Sequence, residues 1–129
     1  MHSTLKFIAA TALAALSVVP AMAAELSPVG KWRSQDGSSQ YQVSFCGDGA
    51  QLCAKLTWLS ASAKAEGNAD LLNTYVVRGA SPTAPNKWSG TVLYEGDRYD
   101  GTVTLVSRDT MKLKGCSGIF CKSFSLVRA

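Results

Sequence analysis

The chain has 129 residues, with 13 lysines and arginines against 9 acidic residues and a formal net charge of +4 at pH 7. This length leaves room for one small domain, and the basic residues form no dense stripe of the kind that binds nucleic acid. The single histidine is His2, so the body of the chain cannot supply a Ser/His/Asp triad or histidine-based acid/base catalysis.

The N-terminal segment has the pattern of a secretory signal peptide. Lys6 precedes an almost wholly apolar run from Phe7 to Val19, and Ala21-Met22-Ala23 places small residues two apart. The run is too short for a membrane-crossing helix, which needs about 20 apolar residues. We therefore expect a signal peptide over residues 1–23, cleavage after Ala23, export to the periplasm and a single domain over residues 24–129.

After Pro28 the sequence alternates between apolar and polar residues in short runs separated by turn residues, which indicates an all-β antiparallel fold. Eight such strands in sequential hairpins most simply close into an up-and-down barrel. The longest predicted loop, Ser60–Leu72, is polar and alanine-rich and is placed to cap one end. The predicted strands are Gly30–Gln35, Ser39–Cys46, Leu52–Leu59, Thr74–Arg78, Lys87–Glu95, Arg98–Val106, Thr110–Cys116 and Cys121–Arg128.

Turn residues predict the registers of two hairpins. A two-residue turn at Asp36-Gly37 sets Trp32 opposite Tyr41. A turn at Gly96-Asp97 in the same way sets Tyr94 opposite Tyr99, with Trp88 opposite Leu105 and one apolar face on the hairpin.

Two cysteine pairs predict the registers of two further hairpins. Setting Cys46 opposite Cys53 places Tyr41 opposite Trp58 on an apolar face. Setting Cys116 opposite Cys121 places Leu113 opposite Phe124, and the sulfurs again lie on the polar side. The side chains of these two hairpins that we expect to point into the barrel are Tyr41, Val43, Phe45, Leu56, Trp58, Met111, Leu113 and Phe124.

The four cysteines are expected to form structural disulfides. Of the three possible connectivities only Cys46–Cys53 with Cys116–Cys121 agrees with both alternation patterns, and export places the thiols in an oxidising space. A zinc site would have to be all cysteine, and a redox role usually requires Cys-x-x-Cys, which is not present. We expect no metal and no cofactor.

The chain resembles two families. Gly30-x-Trp32 in the first strand and Arg128 in the last resemble the lipocalin-like (calycin) barrels, in which the tryptophan packs under an arginine of the closing strand. The closer resemblance is to a bacterial family of small exported proteins catalogued as domain of unknown function 2147. Two departures are Leu126, where that family commonly has tryptophan, and a long loop without Asn-Pro-Asp. The residues that carry the family resemblance are Gly30, Trp32, Cys46, Leu52-Cys53-Ala54-Lys55-Leu56, Trp58, Trp88, Gly90, Tyr94, Tyr99, Leu105, Leu113, Gly115, Gly118 and Arg128.

The expected barrel interior is aromatic and leaves two alternatives open. Gly90, Gly101 and Gly115 fall on the inward face, where they either open a pocket beside large neighbours or relieve strain in an interior filled by aromatic rings. The predicted ligand-binding residues are Trp32, Trp58, Tyr94, Tyr99 and Arg128.

Two functional classes follow from this pattern. The first is a non-enzymatic periplasmic barrel that binds a small apolar or amphiphilic ligand at one mouth. The second is a protein-interaction or enzyme-inhibitor module of the cell envelope, with the loops Ser60–Leu72 and Gly79–Asn86 as its working surface. An enzyme is the third choice, because the acidic cluster Glu95, Asp97 and Asp100 has the pattern of a solvated turn.

Overall fold

A computed structural model describes residues 26–94 and 96–129. The predicted signal peptide, residues 1–23, lies outside the described residues. In the ranges that are described, the helices are too short to cross a membrane.

The described residues form a closed barrel of eight antiparallel strands in sequential order, which confirms the predicted fold. Each strand pairs with the next, and β8 pairs with β1 to close the barrel. The strands are β1 (Gly30–Ser34), β2 (Ser39–Cys46), β3 (Gln51–Leu59), β4 (Tyr75–Ala84), β5 (Lys87–Tyr94), β6 (Asp97–Ser107), β7 (Thr110–Ser117) and β8 (Phe120–Arg128).

The two ends of the barrel differ in what covers them. We call the end that carries the β2–β3, β4–β5 and β6–β7 turns and the C-terminus the closed end. The other end, which we call the open end, carries the turns after β1, β5 and β7 and the segment between β3 and β4. That segment was predicted as a loop, and it forms short helical turns at Ala61–Ala63, Lys64–Asn68 and Ala69–Leu71. Because Ala63 belongs to the core, the segment caps part of the open end.

Trp32 and Arg128 seal the closed end. Trp32 is fully buried, and its indole Nε1 donates a hydrogen bond of 2.8 Å to the Pro28 carbonyl. The Arg128 guanidinium carbon lies 4.1 Å from the centre of the Trp32 ring, within the range of a cation–π contact. A Cβ at Gly30 would lie only 2.9 Å from the Arg128 Nη1, so the glycine lets the guanidinium approach the chain. This is the packing that the lipocalin-like resemblance implies.

The interior is filled by side chains. Inward residues such as Val43, Val103 and Met111 are each 1% exposed, and the internal cavity has a volume of only about 20 Å³. A Cβ at Gly115 would lie 2.9 Å from Tyr99 Cβ, and one at Gly101 would collide with Val92. The inward glycines therefore make room for neighbouring side chains rather than for a ligand, which decides between the two alternatives left open by the sequence.

Both predicted disulfides form, Cys46–Cys53 and Cys116–Cys121. In the β7–β8 hairpin the predicted register is confirmed, with Cys116 directly opposite Cys121 and Leu113 opposite Phe124. In the β2–β3 hairpin it is wrong by two residues, because Cys46 pairs with Gln51 and Ser44 pairs with Cys53. The Cys46–Cys53 bridge is therefore diagonal, with Cα atoms 6.0 Å apart.

In the β1–β2 hairpin the predicted register is confirmed, with Trp32 opposite Tyr41. In the β5–β6 hairpin the predicted register is wrong by two residues. Tyr94 pairs with Asp97, so the turn falls one residue earlier than Gly96-Asp97, and Gly96 takes its second position with φ +87°. A shift of two residues keeps every side chain on its predicted face, because the side-chain period of a strand is two.

Strand β4 extends to Ala84, so the predicted loop Gly79–Asn86 is wrong. Its pairing is irregular on both sides, and Gly79 has φ +71° within the strand. The part of β4 beyond Arg78 could not be predicted from alternation, because it contains a glycine with positive φ and Pro82, and both normally argue against regular strand pairing.

Candidate functional site

The structure divides the predicted ligand-binding residues among three places. Trp32 and Arg128 lie together at the closed end, where they contact each other. Tyr94 and Tyr99 lie together at the open end, with ring centres 6.5 Å apart. Trp58 joins neither pair, so the five residues do not form one site.

The predicted inward position of Trp58 is wrong, because its side chain is 44% exposed. Tyr41 pairs with Leu56 while its neighbour Gln40 pairs with Trp58, so Thr57 is an extra residue in β3. This β-bulge shifts the alternation by one residue, so Leu59 is buried and Trp58 turns outward. Phe45 was also predicted to point inward, and it is 44% exposed near the closed end of β2.

An aromatic cluster occupies the open end of the barrel. Tyr94 packs edge-on against Tyr99 at 66° and lies 5.5 Å from the ring of Phe124. The Nζ of Lys122 lies 5.2 Å above the centre of the Tyr94 ring and 6.0 Å from that of Tyr99. The three rings are half-buried and form an apolar surface, and the exposed ammonium group of Lys122 lies on its solvent side.

A cleft opens beside this cluster because β1 is shorter than β8. Strand β1 has 5 residues against 9 in β8, and the two pair at three positions only, ending at Ser34 opposite Leu126. Beyond that point the strands part and leave a cleft of about 320 Å³, which we call the seam cleft. It is lined by Ser34, Gln35, Asp36, Ser38, Ser39, Tyr41, Tyr94, Ser123, Phe124 and Ser125.

One wall of the seam cleft is a hydrogen-bonded network in the β1–β2 turn. The Asp36 Oδ1 accepts hydrogen bonds from Ser34 Oγ at 2.7 Å, Ser38 Oγ at 2.8 Å and Ser38 N at 3.0 Å. Farther in, the buried Ser39 donates from Oγ to the Tyr41 hydroxyl at 3.1 Å. The network holds this wall in one shape and presents hydroxyl groups to the cleft.

The two titratable groups of this wall have shifted pKa values in opposite directions. The backbone hydrogen bond from Ser38, helped by the hydroxyls of Ser34 and Ser38, lowers the pKa of Asp36 below its ordinary 3.8. Burial raises the pKa of Tyr41 above 10.0, and the hydrogen bond with Ser39 offsets only part of that effect. At neutral pH the wall therefore carries a stable carboxylate and a neutral phenol.

A second depression of about 170 Å³ lies on the other side of Tyr41 and Tyr94, under the helical turns. It shares Asp36, Ser38 and Ser39 with the seam cleft, and Glu66 and Asn68 lie on its helical side. Tyr41 and Tyr94 thus form a ridge between two concave surfaces.

The parts of the site that were not predicted as ligand-binding include Phe124, Lys122, Tyr41 and the serines of the cleft. Lys122 carries a signal in the sequence, because it lies two residues before Phe124 and so shares its inward face at the open end. Tyr41 was predicted to point inward, but not to bind. The serines of the cleft carry no signal, because Ser123 and Ser125 reach it only through the parting of β1 and β8.

The fold and this site define a closed eight-stranded antiparallel barrel with a filled interior and a cleft at its seam. The chain belongs to the family described as "Uncharacterized protein conserved in bacteria (DUF2147)", whose family model matches residues 30–128. Comparisons with curated proteins and with solved structures find no significant match in either set.

Proposed function

We propose that the protein is a non-enzymatic periplasmic binding barrel that holds a small amphiphilic molecule in the seam cleft. The observation that carries this proposal is the contrast between the two volumes, about 20 Å³ inside the barrel and about 320 Å³ in the cleft. Small-molecule sites in proteins occupy roughly 300–1,000 Å³, so the cleft is large enough and the interior is not.

The lining of the cleft favours a ligand with an apolar part and a polar part. Tyr94 and Phe124 offer ring faces to a hydrocarbon group. The hydroxyls of Ser123 and Ser125 lie on the same cleft and suit a polar group. Lys122, above the Tyr94 ring at the β8 side, is placed to pair with an acidic head group there, whereas the Asp36 carboxylate on the β1–β2 wall would repel one.

The chemistry of the wall supports binding rather than catalysis. A base or nucleophile that works near neutral pH needs a carboxyl pKa that is raised or a phenol pKa that is lowered. Asp36 and Tyr41 are shifted in the opposite directions, because hydrogen bonds lower the pKa of Asp36 and burial raises that of Tyr41.

Binding of decanoate and of decanol, followed by isothermal titration calorimetry, tests this proposal. We expect decanoate to bind at one site, and Tyr94→Ala to weaken the binding of both probes about tenfold. Lys122→Gln should weaken decanoate several-fold and leave decanol unchanged. The matched control is Tyr75→Ala, which removes a tyrosine of the outer wall that is 43% exposed. Equal losses in Tyr94→Ala and Tyr75→Ala, or no binding of either probe, would refute the proposal.

A protein-interaction module is the second candidate, and the unpaired edge of β8 favours it. From Phe120 to Ser125 this strand pairs with β7 on one side and has no β1 residue opposite on the other. Such an edge can accept an extended segment of another protein. The helical segment 60–72 lies at the same end, whereas Gly79–Asn86 is mostly strand and no longer qualifies as a binding loop.

A pull-down from the native host with segment 60–72 exchanged for a glycine-serine linker tests this second function. A partner that is retained by the natural chain and lost by the exchanged one supports it, provided that circular dichroism shows an intact barrel. Unchanged retention would exclude the segment from the interaction.

A further inference from the structure

The edge of β8 that borders the seam cleft has no strand opposite it. The pairing of β1 with β8 ends at Ser34 opposite Leu126, and in the part of the chain that the structure describes no β1 residue lies opposite Ser123 or Ser125. Both serines line the cleft. The seam cleft therefore lies where β1 would continue along β8.

The hydrogen bonds at the end of β8 show which backbone groups point into the cleft. The Ala129 N–H donates to the Lys31 carbonyl on the β1 side, whereas the Arg128 N–H donates to the Asp109 carbonyl beside β7. These directions alternate along an antiparallel strand, and β8 pairs with β7 without a shift of register. Ser123 is an even number of residues from Ala129, so its N–H and C=O also point to the β1 side.

A donor and an acceptor on the same residue match the backbone of an extended amino acid. Such a unit presents its own N–H and C=O on one side and can exchange two hydrogen bonds with Ser123, as residues of neighbouring strands do. A hydrocarbon chain uses neither group, and a carboxylate uses only the donor. The edge of β8 therefore favours an amphiphile that contains an amino acid unit.

The order of the contacts along β8 indicates how the parts of the ligand follow one another. Phe124 offers a ring to a hydrocarbon chain, with the ring of Tyr94 5.5 Å away. Ser123 comes next with its backbone groups. Lys122 follows, with its Nζ 5.2 Å above the centre of the Tyr94 ring. An acyl chain, an amide and a carboxylate in the same order make up an N-acyl amino acid.

The acidic residues of the open end restrict where the carboxylate can lie. Asp36 lines the opposite wall of the cleft, and the hydrogen bond from the Ser38 backbone lowers its pKa and keeps it ionised. Asp97 begins β6 at the same end of the barrel. Because both acids repel a carboxylate, its place is on the β8 side, at Lys122.

We infer that the seam cleft binds an N-acyl amino acid, with the acyl chain on Phe124 and Tyr94. The amide N–H donates to the Ser123 carbonyl, and the carboxylate accepts from the Ser123 N–H and lies near Lys122. The inference rests on the proposed function, because it names the class of amphiphile that the same cleft would hold. The cleft is bounded at Ser34, where β1 pairs with β8, so it suits a short molecule better than a long strand of another protein.

Isothermal titration calorimetry with three probes of equal acyl length tests this inference. The probes are decanoate, decanoylglycine and the ester decanoyloxyacetate, in which an oxygen replaces the amide N–H. We expect decanoylglycine to bind at least about fivefold more tightly than decanoate, because it adds a hydrogen bond from its amide. The ester cannot donate this bond and should bind about as weakly as decanoate.

Two substitutions of Ser123 separate its backbone from its side chain. Ser123→Pro removes the N–H that points into the cleft and leaves the bonds to β7, because proline is tolerated where the N–H of an edge strand has no partner. This variant should lose most of the preference for decanoylglycine over decanoate. Ser123→Ala removes only the hydroxyl and should weaken both probes alike, so that the preference remains. Matching thermal unfolding curves check the fold.

Hydrogen exchange of the natural chain provides a measurement that needs no variant. At equal occupancy, decanoylglycine should slow the exchange of the Ser123 N–H more than decanoate does, because its amide fixes the carboxylate against this group. Equal protection by the two probes would count against the inference.

The probes distinguish a failure of this inference from a failure of the proposed function. If decanoate binds and decanoylglycine binds no more tightly, or if the ester binds as tightly as decanoylglycine, the inference falls and the cleft remains a site for an amphiphile. If none of the three probes binds, both fall. Binding of decyl glucoside as tight as that of decanoylglycine would overturn the inference and assign the polar part of the ligand to a sugar.

Discussion

Removing the Arg128 side chain should destabilise the barrel by about 3 kcal/mol, because this residue ties three segments of the closed end together. Its guanidinium donates to the Arg108 carbonyl from Nη2 at 2.7 Å, to the Ser27 carbonyl at 2.9 Å and to the Val29 carbonyl at 2.9 Å. Hydrogen bonds to charged groups are worth about 1.5–3 kcal/mol each when buried, and partial exposure reduces the set to about 2 kcal/mol in all. The cation–π contact with Trp32 adds about 1 kcal/mol.

Urea unfolding of Arg128→Ala, Arg128→Lys and Arg108→Ala measures this effect. Arg128→Lys should recover only about 1 kcal/mol, because an ammonium group cannot donate to three carbonyls in the guanidinium plane and stack on the indole. Arg108→Ala is the charge control, since the contact uses its backbone carbonyl, and should change the free energy of unfolding by less than about 0.5 kcal/mol. A loss in Arg128→Ala no larger than that in Arg108→Ala would refute the reasoning.

Three further predictions concern the rest of the barrel. Gly115→Ala should cost about 1–3 kcal/mol in urea unfolding, because the new methyl group meets Tyr99 at 2.9 Å; a cost below about 0.5 kcal/mol would contradict this packing. Replacing Cys116 and Cys121 together by serine should cost about 2 kcal/mol by the loop-entropy relation, and an unchanged midpoint would contradict it. Because hydrogen bonds lower the pKa of Asp36 in the folded state, its contribution is present above pH 3.8 and is lost as the pH falls below that value. Asp36→Asn should therefore show a shallower loss of stability than the natural chain as the pH falls below about 4, and parallel curves would contradict it.

The barrel could be predicted from the sequence because alternation and turn residues act locally. The β7–β8 register followed from the cysteines, since Cys116 and Cys121 lie directly opposite each other. Cys46 and Cys53 did not reveal the β2–β3 register in this way, because a diagonal pair at a Cα distance of 6.0 Å also permits a disulfide. Both registers place the same side chains inward, so the error left most of the predicted core intact; the exceptions are Trp58, beyond the bulge in β3, and Phe45, near the closed end of β2.

The outward position of Trp58 could not be read from the alternation. Leu56, Trp58 and Leu59 are all apolar, so the sequence leaves the phase of β3 ambiguous beyond Thr57. Only the pairing of Trp58 with Gln40 and of Leu56 with Tyr41 reveals the bulge.

The candidate site depends on a relation between strands that are distant in sequence. Tyr94 and Tyr99 were predicted from the β5–β6 hairpin, which is a local feature. The seam cleft arises because β1 ends at Ser34 while β8 begins at Phe120, and the sequence of either strand alone does not show how far they pair. The resemblance that paired Trp32 with Arg128 located the closed end, which is the end opposite to the cleft.

Native mass spectrometry of the protein purified from its own host tests most directly whether the seam cleft is a ligand site. The natural chain should carry one small acidic molecule per barrel, and Tyr94→Ala/Lys122→Gln, prepared in the same way, should have lost it. Tyr75→Ala should keep the molecule. A natural chain that repeatedly shows the mass of the polypeptide alone, or a molecule that stays in the double variant, would contradict the account.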